Sequence, residues 1–386
     1  MTVVRLGIEN LLDFPPSDLK SKRLGLLCNP ASTCYGYFHS RFAVDAAFKG
    51  QLKALFAPQH GFFAEKQDNM IESAHLTDPM LGVPVYSLYG EVRKPKSEML
   101  DGIDVLLVDL PDVGTRVYTF IYTMAYCMQA AKEAQKQVIV LDRPNPIGGV
   151  LTEGNVLDPE YKSFVGLYPI PMRHGLTIAE LALYFNNICG IGCDLNVIPM
   201  KGWTRDMQFP ATGLGWVIPS PNMPTYNTAL VYPGQVLLEG TNLSEARGTT
   251  LPFEQWGAPY LDPDALEVRN IPGCVLREVV FEPTSGKWAG TPCKGFQIHV
   301  TDADEFKPYL TTLKLLQQVI RTCGDDFQWK QPPYEYEFEK LPIDIIFGDK
   351  NLRAHLENGD NLDEVAQSWQ KDLDGYNKLA DKCKLY

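Results

Sequence analysis

The sequence predicts an α/β protein: a Rossmann-like, mostly parallel sheet domain joined to a smaller α+β subdomain. Three observations carry this expectation. Short apolar runs alternate with amphipathic stretches through the first half, the pattern of βαβ units around a parallel sheet. Those runs are apolar on both faces, as strands covered by helices on either side must be. From about Trp203 the character changes and proline and glycine become dense between Pro210 and Pro272, which divides the chain at 1–205 and 206–386.

Strands of the first domain are expected at 24–28, 52–56, 105–109, 138–142 and 195–200. Helices are expected at 40–48 and 119–134, the second small and apolar enough to lie flat on a sheet. Thr177-Ile-Ala-Glu180 is a capping box, in which a hydroxyl and a carboxylate satisfy each other's orphan N–H groups, and it starts a helix reaching about Asn187. In the second domain, 294–301 alternates like a strand with one wet face, and helices are expected at 306–322 and 362–382.

The chain has 386 residues, 45% of them apolar, which is ample for a core. Its formal charge of −12 repels phosphate backbones and anionic lipid, excluding nucleic-acid and membrane-surface binding. The longest apolar runs fall far short of the roughly 18 residues of a spanning helix. No secretory leader pattern opens the chain, so a cytoplasmic protein is expected, with export on a removed leader as the alternative. The nine cysteines form no CxxC pair and read as reduced, buried thiols. A zinc site on Cys189, Cys193 and a histidine is the weaker reading, and no metal or cofactor is expected.

The strands run into polar clusters: Asn29-Pro30, Gln59-His60-Gly61, Asp109 with Asp112-Val-Gly-Thr-Arg116, and Asp142-Arg143-Pro-Asn145-Pro146. In open parallel sheets, ligands bind outside the carboxyl ends of the strands, so these loops should meet at one crevice. Turns alone use Asp, Asn, Pro and Gly, but they do not need an arginine and a histidine at the same edge. The sequence contains no GxGxxG, P-loop, HExxH or GxSxG pattern, which leaves acids, histidines and arginines to carry the chemistry. Further clusters are Glu91 after an apolar extended piece, Arg173-His174-Gly175 before the capped helix, Ser220-Pro-Asn222-Met-Pro-Thr225, and Glu239, Asn242, Glu245 and Arg247 within nine residues.

Six strings in order, Val85-Tyr-Ser-Leu-Tyr-Gly90, Asp112-Val-Gly-Thr-Arg-Val-Tyr-Thr119, Leu141-Asp-Arg-Pro-Asn-Pro146, Arg173-His-Gly-Leu-Thr177, Pro219-Ser-Pro-Asn-Met-Pro-Thr225 and Glu239-Gly-Thr-Asn-Leu-Ser-Glu245, carry a resemblance that spans nearly the whole chain. With them the sequence resembles the exo-β-N-acetylmuramidases, glycoside hydrolase family 171, formerly a domain of unknown function. The resemblance implies a Rossmann-like domain, a smaller second subdomain with a cleft between them, and release of N-acetylmuramic acid from the non-reducing end of peptidoglycan fragments. The chain departs from the family pattern twice: Gln59 stands where many members have a glutamate, and Ala246 where they have a glycine. Gln59 can neither give nor take a proton, so no carboxylate acts at that position.

Most glycosidases need a protonated acid at the leaving oxygen and a second carboxylate, or its equivalent, at the anomeric carbon. Glu91 is the candidate acid, because desolvation beside Tyr86 and Tyr89 would raise its pKa; the bland alternative is a surface glutamate paired with Arg93. Candidates for the second group are Asp112, Glu239 and Glu245, or the substrate's own acetamido carbonyl, oriented by Asp112 or Asn145. A carboxylate separation of roughly 5–5.5 Å would mark a retaining nucleophile, and roughly 6.5–9.5 Å inversion through water. The lactyl carboxylate of muramic acid calls for an arginine fork, which Arg116, Arg143, Arg173 or Arg247 could supply. His60 and His174 are candidates to bind sugar hydroxyls or tune the acid, and Asn29, Asn222 and Asn242 to bind substrate. The rivals are a Rossmann-type nucleotide-dependent enzyme, disfavoured by the missing glycine fingerprint, and a non-catalytic wall-fragment receptor.

Overall fold

The computed structural model describes residues 3–67, 71–268 and 270–386. The strands are β1 (Leu24–Cys28), β2 (Leu52–Ala57), β3 (Leu76–Thr77), β4 (Pro84–Ser87), β5 (Val105–Asp109), β6 (Gln137–Leu141), β7 (Glu153–Val156), β8 (Pro171–Arg173), β9 (Leu195–Ile198), β10 (Gln255–Ala258), β11 (Cys274–Phe281) and β12 (Cys293–Val300). Seven of them form one sheet in the order β3-β4-β2-β1-β5-β6-β9, parallel except for β3 against β4. Every residue of β1 and β5 is buried, as their unbroken apolar runs anticipate. The chain winds from β1 outward to β4 and then restarts at β5 on the other side. Loops at the carboxyl ends of β1 and β5 therefore part into a switch-point crevice.

Helices Gly7–Asp13 and Ser40–Ala47 cover one face of this sheet through Ile8, Leu11 and Val44. Helices Phe120–Glu133 and Ile178–Leu183 cover the other, and the core on that side is continuous with the second part of the molecule. The capping box forms as its sequence requires: Thr177 Oγ1 accepts from the Glu180 N–H, and the Glu180 carboxylate accepts from the Thr177 N–H. The α-helix it starts is shorter than expected, passing at Leu183 into a π-helical turn over Tyr184–Ile188.

In the second part, β10, β12 and β11 form an antiparallel sheet with β12 at its centre. Phe296 and Ile298 of β12 point into the core, whereas His299 is exposed, which reproduces the expected alternation. Helix Tyr226–Gln235 crosses helix Pro308–Cys323 at Gly234, where an added Cβ would collide with the Pro308 carbonyl and Thr312 Oγ1. The single helix expected over 362–382 breaks at Trp369 into Leu362–Ser368 and Gln370–Ala380. Burial of the Trp369 indole against Tyr309, ring centroids 5.8 Å apart, outweighs helix continuity there.

Arg116 binds the two parts together and is corrected from substrate ligand to structural clamp. Its fully buried guanidinium donates from Nη1 to the carbonyls of Asn155 and Ile170, and from Nη2 to those of Ile346 and Phe347. The last two are orphan carbonyls at the end of helix Pro342–Phe347. Arg116→Met should lower unfolding stability by about 3 kcal/mol or more, because several buried carbonyls lose their donor together. An unchanged urea midpoint would contradict the clamp.

Candidate active site

A narrow cavity lies where the carboxyl ends of the parallel strands face the second part of the molecule. From the first part, the loop after β2 brings Gln59 and His60, and Thr119 stands at the start of helix Phe120–Glu133. From the second part, helix Tyr226–Gln235 runs on into a tight turn over Val236–Gly240 that carries Glu239, and a proline-led segment brings Tyr334 and Glu335. Thr225 caps that helix at the Thr228 N–H, fixing the preceding Pro219–Met223 loop against the cavity wall. Glu335 and Tyr336 both hold left-handed backbone, φ 47° and 68°, a strained conformation of the kind that gathers at functional sites.

The two glutamates are held in opposite ways. Glu239 is buried, which favours its neutral form, but Arg247 Nη2 at 2.6 Å and the Tyr334 hydroxyl at 2.7 Å outweigh burial and hold its carboxyl below the ordinary value. For Glu335, burial wins: its pKa is raised although the Tyr89 hydroxyl donates to Oε2 at 2.8 Å, Gln59 Nε2 donates to Oε1 at 3.2 Å, and Arg93 stands 3.9 Å away. The nearby charge of Glu239 adds to that rise. Thr119 Oγ1 donates to Gln59 Oε1 at 2.8 Å, which turns the Gln59 amide so that its N–H groups face Glu335. Arg93 is itself stacked on Phe164, 3.9 Å from the ring centroid, and on Tyr336 at 4.4 Å. Burial drives His60 down to about 4, and its Nδ1–H donates to the Lys66 carbonyl, leaving Nε2 as a neutral acceptor. One carboxyl shifted toward its protonated form and one held toward its ionised form in a shared cavity is the division of labour that glycoside cleavage needs.

The cavity is tight, with free space of about 40 Å³, close to the share of a single water. At Asn222 and Arg247 it meets a broad groove of about 830 Å³ running past Thr249 and Thr284. A sugar ring enters only if the walls part, and the strained 334–336 segment is the wall that forms part of the site.

Several expected site residues stand elsewhere. Glu91 is not desolvated: its side chain is 71% exposed, and an ion pair with Lys96 at 2.5 Å, rather than with Arg93, lowers its pKa. The turn after Gly90 directs it to solvent, so it is corrected from candidate acid to surface residue. Arg143 grips Asp109 with both Nε (2.6 Å) and Nη2 (2.8 Å) and ties the loop after β6 to Thr33. Arg173 donates from Nη2 to the Ile147 carbonyl, and Asn145 donates to Leu176, so both brace loops and do not line the cavity. Asn29 Nδ2 holds the Pro219 carbonyl at 2.8 Å, and Asn242 is taken up by Tyr260, Gln328 and Asp326. Asp112 lies in a different cavity, with His174 Nε2 3.0 Å from its Oδ2 but poorly aligned for a hydrogen bond. Glu245 sits behind Arg247, bound to Lys287 Nζ at 2.8 Å. The structure thus brings together His60, Asn222, Glu239 and Arg247 of the expected set, and adds Gln59, Thr119, Tyr334 and Glu335. The signal for Glu335 was present in Gln331-Pro-Pro-Tyr-Glu-Tyr336, a proline-stiffened run with an acid between two aromatics. Among the described residues, no cluster of three or more histidine, cysteine or acidic side chains could hold a metal ion.

Fold and site together fit a glycosidase. Family models described as the N-terminal and C-terminal parts of exo-β-N-acetylmuramidase NamZ match residues 24–227 and 230–386, and the chain belongs to that family. It is 44% identical over 391 residues to the peptidoglycan β-N-acetylmuramidase NamZ of Bacillus subtilis (strain 168), covering 99% of this chain and 91% of that protein. Two crystal structures of DUF1343 family proteins from Bacteroides fragilis share the fold. One has a TM-score of 0.89 at 33% identity, covering 99% of each chain; the other has 0.77 at 28%, covering 100% of this chain and 99% of that one.

Two substitutions separate this site from the one expected at Glu91. Glu91→Gln should leave turnover unchanged. Gln59→Leu removes a donor that favours the ionised form of Glu335, so the basic limb of the pH–rate profile should move upward by up to about one unit. A fixed limb in a folded Gln59→Leu protein would contradict the contact.

Proposed function

We propose that this chain is an exo-acting β-N-acetylmuramidase that releases N-acetylmuramic acid from the non-reducing end of peptidoglycan fragments in cell-wall turnover. One observation carries the reading: two buried glutamates with opposite charge preferences share a cavity, in a chain closely related to a peptidoglycan β-N-acetylmuramidase. Glu335 gives its proton to the glycosidic oxygen as the bond to the anomeric carbon breaks. Glu239, kept ionised by Arg247, faces the positive charge that develops on the ring. Water then bonds to the anomeric carbon, and its proton returns to Glu335.

Arg247 Nη1 is buried with no hydrogen-bond partner, on the wall shared by the cavity and the groove. That unused donor supports Arg247 as the receptor of the lactyl carboxylate that distinguishes muramic acid from glucosamine. No helix among the described residues is long and apolar enough to cross a membrane, and the nine unpaired thiols support action in a reducing, cytoplasmic compartment.

Glu335→Gln should lower turnover of a chromogenic N-acetyl-β-muramide by about two orders of magnitude or more, with an unchanged unfolding midpoint. Wild-type turnover should fall at high pH as Glu335 loses its proton, and at low pH as Glu239 gains one. The corresponding N-acetylglucosaminide should be a poor substrate. Near-full activity in Glu335→Gln would remove the acid assignment, and equal turnover of the two sugars would remove the muramidase reading.

A further inference from the structure

A second cavity lies apart from the one that holds the glutamates. About 390 Å³ in volume, within the usual range of small-molecule sites, it opens at the switch point between the loops after β1, β5 and β6. Its walls are aromatic: Tyr35 and Tyr37 from the first loop, and Phe209 and Trp216 from the segment beyond β9. Tyr37 holds left-handed backbone (φ 66°) and remains 66% exposed, while its hydroxyl rests against Gly215, where a Cβ would collide with it. A strained backbone that keeps a bulky aromatic ring over an open cavity is the mark of a ligand clamp rather than of packing.

The polar groups in that cavity set its charge preference. Arg143 is already neutralised by its paired hydrogen bonds to Asp109. Asp112 lines the cavity with only 5% of its surface exposed; Oδ2 accepts from the Gly114 N–H, but Oδ1 has no hydrogen-bond partner. A buried carboxylate oxygen without a donor is costly, so the Asp112 side chain gains by turning toward a ligand hydroxyl or amide N–H in the cavity it lines. The same charge repels phosphates and carboxylates, and the loop after β1, which begins Asn29-Pro30, has no glycine-rich turn to cradle a phosphate. Flat aromatic walls with one donor-seeking carboxylate suit a sugar ring, whose C–H face stacks on aromatics while its hydroxyls donate.

We propose that this switch-point cavity is a second saccharide site, selective against anionic pyranoses. That the sugar is N-acetylglucosamine, the unit exposed on the strand once muramic acid has been released, rests on the muramidase reading; the cavity's charge preference does not. Titration calorimetry on the full chain with N-acetylglucosamine and N-acetylmuramic acid tests both parts. N-acetylglucosamine should bind, and Tyr37→Ala and Trp216→Ala should each weaken it by about tenfold, the scale of one lost aromatic stack. Glu335→Gln should leave that binding unchanged, and Tyr37→Ala should hydrolyse a chromogenic muramide at the wild-type rate. Asp112→Asn should open this cavity to the anionic muramic acid as a second binding event, where the wild type should show only the one at Arg247. No binding of N-acetylglucosamine, or binding that survives both aromatic substitutions, would overturn the proposal. None of these results bears on the acid assignment, which fails separately if Glu335→Gln stays active.

Discussion

The hydrogen bonds onto Glu335 are the contact on which the rest of the site depends. The residue belongs to the second part of the chain, yet the groups that touch its carboxylate, Tyr89, Gln59 and Arg93, all come from the first. Glu239 is held differently, by Arg247 and Tyr334 from its own part of the chain. Glu239 thus has Arg247 and Tyr334 beside it within its own part, whereas the Tyr89, Gln59 and Arg93 contacts onto Glu335 exist only when the two parts dock. Docking in turn relies on Arg116, whose buried guanidinium ends helix Pro342–Phe347, a few residues beyond the segment that carries Glu335. A contact that looks purely structural thus determines where the acid stands.

Gln59 gains meaning in this setting. A glutamate in its place would face Glu335 as a second carboxyl, and two such groups cannot both ionise at that distance. The amide instead offers Glu335 a permanent donor, oriented by Thr119, and couples the acid to the sheet without adding a charge. Arg93 adds a distant positive charge whose position is fixed by stacking on Phe164 and Tyr336. Burial still dominates, so the acid is tuned by desolvation and merely moderated by its partners.

Much of the fold was legible because parallel strands buried on both faces leave unbroken apolar runs, and β1, β2, β5 and β6 lie where such runs occur. The helix break at Trp369 was not legible, since local periodicity continues through it and only the distant Tyr309 decides it. For the site, the polar loops at the strand ends were visible, but their division of labour was not. Asp, Asn and Arg at strand ends serve loop bracing as readily as ligand binding, and Arg143, Arg173 and Asn145 prove to be braces. Glu91 was misread because an apolar run says that the strand is buried, not that the residue after its closing turn is. Glu335 escaped notice because its partners lie more than two hundred residues away in sequence.

The central claim is that Glu335 holds its proton to a higher pH than Glu239 does. Infrared difference spectroscopy of the protein through a rising pH titration, wild type against Glu335→Gln and Glu239→Gln, tests it directly at the pH where only the more basic of the two carboxyls still holds its proton. The account predicts that a protonated-carboxyl stretch disappears in Glu335→Gln and persists in Glu239→Gln. Loss of that band in Glu239→Gln alone would reverse the two roles, and no loss in either would contradict the account.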